Sequence, residues 1–124
     1  MILLMTASER HLSRAARMFL VCAADDYTEL FVLHDVLTRA VGTLSAEDER
    51  TRALEVLREL LEGDLVRVGD MRADVKGLAF WDEPSPNVLA RVATIWSAEQ
   101  LPRTGEGPWF YATPRGKSLV QQSP

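Results

Sequence analysis

Cysteine is almost absent from this 124-residue sequence: Cys22 stands alone. No intrachain disulfide can form, zinc sites built from several thiolates are excluded, and a reducing compartment fits best. Histidine is nearly as scarce. The dipeptide His34-Asp35, with His11 upstream, offers metal-ligand types, but two histidines in the whole chain are too few for a His-Asp metal centre. His34 therefore reads as a half-buried helix residue, and Cys22, with no base nearby in sequence, as a small core residue. Positive charge is also in deficit, because 14 lysines and arginines face 18 acidic residues for a net charge of −4, which gives no global attraction to nucleic acid. No apolar run is long enough to cross a membrane. Arg14 and Arg17 ahead of the apolar stretch Met18 to Ala24 give a distant echo of a signal peptide. That stretch sits at the lower limit of length, and Val21 does not suit a lipoprotein cleavage site before Cys22. With Met1 at its start, the chain is expected to be unprocessed and cytoplasmic. No phosphate loop, nucleophile elbow or dinucleotide fingerprint occurs, so neither catalysis nor a cofactor is expected.

What remains is the composition of an ordinary globular protein, 47% hydrophobic and 26% charged, at a length expected to make one domain over residues 1–124. Thr6 with Glu9 forms a capping box, and Leu12, Ala15, Ala16, Phe19, Leu20 and Ala23 recur at helical spacing, which predicts a first helix from Ala7 to Ala24. Arg10, Arg14 and Arg17 line its opposite stripe. Asp25 and Asp26 suit the start of a second helix, Tyr27 to Val41, ending at Gly42. Ser45, with Asp48 three residues on, opens a third helix through Ala53, Leu54, Leu57, Leu60 and Leu61, closed by Gly63. Leu57 and Leu61 are expected in the core.

Alternation then predicts a strand at Leu65 to Val68, with Gly69 and Asp70 turning the chain and Leu78 to Trp81 able to pair with it. Ser85 followed by Pro86 predicts a helix with Val88, Leu89, Val92, Ala93 and Trp96 on its buried face. Trp109 to Ala112 is a strand by aromatic content, and Thr113 with Pro114 can cap a last helical turn. Each of the strands at Leu65 and Trp109 is too short to stand alone, which predicts that the two pair antiparallel.

The segment Thr51 to Val68, TRALEVLRELLEGDLVRV, resembles the third helix and first wing strand of the winged-helix superfamily. WFYATPRGKSL at Trp109 to Leu119 resembles the returning wing strand, which in that family often ends in Leu-Thr-x-x-Gly. Here the match is Ala112, Thr113, Pro114, Arg115 and Gly116, with alanine in place of the usual leucine. The resemblance covers about half the chain, and the ADDY segment at Ala24 to Tyr27 resembles one in small acidic bacterial proteins. It implies an α+β, mostly helical fold, a winged-helix-like domain in which Met71 to Gly107 inserts a helix between the wing strands.

Winged helices often bind DNA through their third helix, but here Ser45 to Glu62 carries six acidic residues against three arginines, a net charge of −3. Glu55, Glu59 and Glu62 fall on the stripe that would face DNA, where they oppose the electrostatic attraction that supplies most nonspecific affinity. The expected function is therefore non-catalytic protein–protein interaction of an immunity or regulatory type, with a protein partner or a second copy. Arg10, Arg14, Arg17, Glu55, Glu59 and Glu62 are its candidate contacts. The alternative is a DNA-binding regulator that presents Arg67, Arg72, Arg115 and Lys117, with the first-helix arginines, to phosphates. Trp109, Phe110 and Tyr111 beside the basic tail also suggest a grip on a single strand, although alternating strand aromatics more commonly belong to a core.

Overall fold

The computed structural model describes residues 12–72, 78–97, 102–103 and 107–121. Among them the chain is α+β and mostly helical, with five helices and one four-stranded antiparallel sheet. The helices are α1 (Arg14–Asp25), α2 (Val32–Ala40), α3 (Ala46–Glu62), α4 (Ser85–Ile95) and α5 (Pro114–Gln121). The strands are β1 (Thr28–Glu29), β2 (Val66–Met71), β3 (Leu78–Phe80) and β4 (Trp109–Ala112), in the order β1-β4-β2-β3.

The first helix does not run unbroken from Ala7. Residues Leu12 and Ser13 are not helical, and the Ser13 hydroxyl accepts a hydrogen bond from the Ala16 amide, so the described helix starts at Arg14. A serine that caps its own helix outcompetes continuation of the turn before it. The proposed Thr6 cap and Arg10 lie outside the described residues. The second predicted helix is shorter than expected at its start. Asp25 ends α1, the Asp26 backbone amide donates a hydrogen bond to the Cys22 carbonyl, and Thr28–Glu29 form a strand before α2 begins at Val32. Pairing of Thr28 with Phe110 and Glu29 with Trp109 satisfies backbone that one more helical turn would have used.

The third helix matches its expected capping. Ser45 Oγ accepts from the Asp48 amide and Gly63 ends the helix. Ala53, Val56, Leu57 and Leu60 are buried, whereas Leu61 is only partly buried. Beyond it β2 continues past the expected turn: Gly69 and Asp70 are strand residues, paired with Phe80 and Ala79. Gly69 is needed there because a Cβ would lie 2.5 Å from the Ala79 carbonyl oxygen of the neighbouring strand.

The antiparallel pairing of β2 with β4 is as expected, with Val66 opposite Ala112, Arg67 opposite Tyr111, Val68 opposite Phe110 and Gly69 opposite Trp109. Between these strands the chain makes β3 and α4. The latter starts at Ser85 with Pro84 as its cap, one residue earlier than predicted, and Pro86 falls in its first turn where no amide is missed. Two hydrogen bonds from Arg50 of α3, Nε to the Trp96 carbonyl at 2.5 Å and Nη2 to the Ala93 carbonyl at 2.8 Å, fasten the end of this helix. Phe19, Leu20, Leu33, Leu57, Leu60, Val92, Trp96 and Phe110 form the centre of one buried cluster drawn from α1, α2, α3, α4 and the inner face of the sheet.

Thr113 does more than cap a single turn. Its amide donates to the Leu65 carbonyl at 3.0 Å, its hydroxyl donates to the Asp64 carbonyl at 2.7 Å, and the Gly116 amide donates to that hydroxyl at 3.0 Å. The Thr-x-x-Gly segment thus ties the start of an eight-residue α5 to the α3–β2 junction.

Candidate functional site

Between the start of α1, the end of α2 and the length of α3 runs a groove with a cavity volume of about 760 Å³. Its floor is apolar, made by Ala15, Leu37, Ala40, Val41 and Val56, and its walls carry Arg14, Arg52, Arg58, Glu55, Glu59 and Glu62. Four of the six candidate protein contacts, Arg14, Glu55, Glu59 and Glu62, therefore meet in one place. Arg17 is half-buried farther along α1, and Arg10 lies outside the described residues. Val41, at the end of α2, is 41% exposed, a large apolar side chain left in water at the groove edge.

Glu59 does not belong to a freely exposed acidic stripe. Its two carboxylate oxygens accept from the Ser13 amide and the Ser13 hydroxyl, each at 2.9 Å, and so fix the entry to α1. Truncating it should behave as loss of a helix cap. We expect Glu59→Ala to lower stability by about 1 kcal/mol, and exposed Glu55→Ala to change it by under about 0.5 kcal/mol, with urea denaturation as the check. Equal effects from the two would show that the Ser13 contact contributes nothing.

The basic candidates divide differently. Arg115 donates Nε to the Gly63 carbonyl at 3.0 Å, placing a cation at the end of α3 where helix carbonyls are left over. Lys117 donates to the Tyr111 hydroxyl at 2.6 Å and lies 4.3 Å from that ring's centroid, while the Arg67 guanidinium covers Phe80 at 3.6 Å. Arg72 is exposed just beyond β2. These residues do not converge on α3, so the basic set and the acidic helix do not form one surface.

Glu49, in the acidic first turn of α3, is only 6% exposed and its carboxylate lies 2.8 Å from His34 Nδ1. The signal was available, since Glu49 precedes Ala53 and Val56 by four and seven residues and shares their inward stripe. His34 is thereby engaged as a partner of Glu49. Among the described residues no three His, Cys, Asp or Glu side chains are grouped to hold a metal ion. Burial pushes the Cys22 thiol up from its ordinary value, against a smaller downward pull from Arg39, and a raised thiol is a poor nucleophile. No helix of the described residues is long and apolar enough to cross a membrane.

Comparison with known protein families, curated proteins and solved structures finds no match to this chain.

Proposed function

We propose that this chain is a non-catalytic, protein-binding module of winged-helix type, with the groove beside α3 as its contact surface. The fold assignment is supported by a helix ending in glycine that feeds β2, by the return of β4 beside β2, and by the Thr113 to Gly116 segment that closes the pair. The strands of the enlarged wing are separated by β3 and α4. The observation that carries the functional reading is the groove, whose apolar floor and exposed Val41 offer burial while its rim carries three arginines and three glutamates. A polyanion would meet three glutamates there, whereas an amphipathic helix of a partner protein would bury its apolar stripe on the floor and match both signs at the rim. The duplex-binding alternative is weaker, because Arg67, Arg72, Arg115 and Lys117 do not converge on α3, the acidic helix that a winged-helix domain would lay on DNA.

A photo-crosslinking residue at Val41, with another at exposed Thr94 as the control, tests this in the native cell. The expected result is a discrete crosslinked protein, either a second copy or a different chain, from position 41 and none from position 94. No adduct at 41, or the same adducts from both positions, would overturn the reading. So would fluorescence anisotropy that shows duplex DNA bound tighter than about 1 µM at physiological salt, beyond the usual nonspecific range.

A further inference from the structure

The outer face of the sheet carries an aromatic array that the groove reading does not use. Register places Arg67 beside Tyr111, and Gly69 between Phe80 and Trp109, on the side away from Val66, Val68, Phe110 and Ala112, which are buried. Tyr27 extends the row, its ring centroid 4.7 Å from that of Tyr111. Phe80 is 38% exposed. Gly69 carries no side chain and is buried between the Phe80 and Trp109 positions. Two cations are threaded into the rings: the Arg67 guanidinium lies 3.6 Å from the Phe80 centroid and the Lys117 ammonium 4.3 Å from that of Tyr111.

We propose that this face is a stacking platform for single-stranded nucleic acid, in which bases lie on Phe80, Trp109 and Tyr111 and phosphates pair with Arg67 and Lys117. Phe80 is the exposed ring of the row, and Tyr27, Trp109 and Tyr111 are half-buried beside it. Rings on the outer face of a sheet are a sequence-tolerant surface for unpaired bases, whose flat faces a duplex keeps hidden in its own stack. Charge selects the occupant. An apolar protein surface laid on this face would strip water from a guanidinium and an ammonium without replacing it, a costly burial, whereas a phosphate replaces that water with a charge-assisted hydrogen bond. Glu29, opposite Trp109 on β1, is the acidic residue that register places on this face among the described residues, so the face is locally basic in an acidic protein. The acidic residues of α3 do not oppose a short strand here, because α3 packs through Ala53, Val56, Leu57 and Leu60 into the core beneath the inner face. A rigid duplex needs a wider footprint and more cations than the face provides.

Fluorescence anisotropy with a labelled oligothymidylate, an oligouridylate and a duplex of equal length tests the proposal. The expected result is binding of at least one single strand tighter than about 100 µM at low salt, the weak end of nonspecific affinity, and roughly tenfold weaker binding of the duplex. Phe80→Ser should weaken the single-strand complex by about fivefold or more, the effect of losing one stacked base. Arg67→Gln should weaken it too and reduce the salt slope by about 0.7, as expected for one phosphate contact to a single strand. Both side chains are exposed, and thermal melts identify whether each variant is folded. Absence of single-strand binding at about 100 µM, a duplex bound as tightly as the single strands, or folded variants that both bind like the native protein would overturn it.

Discussion

Replacing Gly116 with alanine should destabilise the protein by roughly 3 kcal/mol, the upper end of the usual cost of overpacking. A Cβ at this position would lie 2.1 Å from the Leu65 carbonyl oxygen, 3.0 Å from its carbon and 3.1 Å from Leu20 Cδ1. Something must move, and the first neighbour is backbone. The Leu65 carbonyl is held where it is by the Thr113 amide, and the adjoining Asp64 carbonyl by the Thr113 hydroxyl, which also receives the Gly116 amide. Displacing α5 to relieve the clash would break that last bond and pull the helix from α1, against which it packs. Urea denaturation of the native protein and Gly116→Ala measures the loss as a shift in midpoint at constant slope. A loss below about 1 kcal/mol, less than the usual cost of overpacking, would mean that α5 is free to retreat and that the Thr113 knot does not fix it.

The glycine of that knot was legible in the sequence only through resemblance to a motif. The physical reason for it, the closeness of a carbonyl from another part of the chain, is tertiary and leaves no local trace. Elements governed by their own residues read well: Ser45 and Gly63 bound α3, and the aromatic strand at Trp109 pairs with β2 across a long insertion. Elements decided by competition did not. Thr28 and Glu29 carry no strong strand signal and pair because β4 offers an open edge, while Gly69 and Asp70, good turn formers, stay in β2 because β3 pairs with them. The groove was half legible. Periodicity put Glu55, Glu59 and Glu62 on one helix, but the contact of Glu59 with Ser13 joins residues 46 positions apart, a separation that helical spacing does not register. Neutralising all three glutamates to probe electrostatics would therefore mix charge with stability. Glu55 and Glu62 are the pair to change for that purpose.

Truncation of Leu57 to alanine should cost about 2 to 5 kcal/mol, the range for a buried leucine, and truncation of Leu61 about half as much. The two leucines are four residues apart and look equivalent in sequence. With 3.6 residues per turn, however, the buried positions Ala53, Val56, Leu57 and Leu60 centre on a line that Leu61 misses by about 90°. Leu57 has no exposed surface, whereas Leu61 packs against the cluster from its margin. A cavity at Leu57 opens beneath the helix that forms one wall of the groove, inside the buried cluster that this helix shares with α1 and α2. Close-packed surroundings relax only in part, so the lost contacts are not recovered. At Leu61 water can reach the vacated space, and the loss is limited to the area that was covered. Paired urea titrations of the two variants decide the matter. Equal losses, or a change under about 0.5 kcal/mol for Leu57→Ala, typical of a surface substitution, would mean that the buried face of α3 is rotated, and with it the arginines and glutamates that form the groove rim.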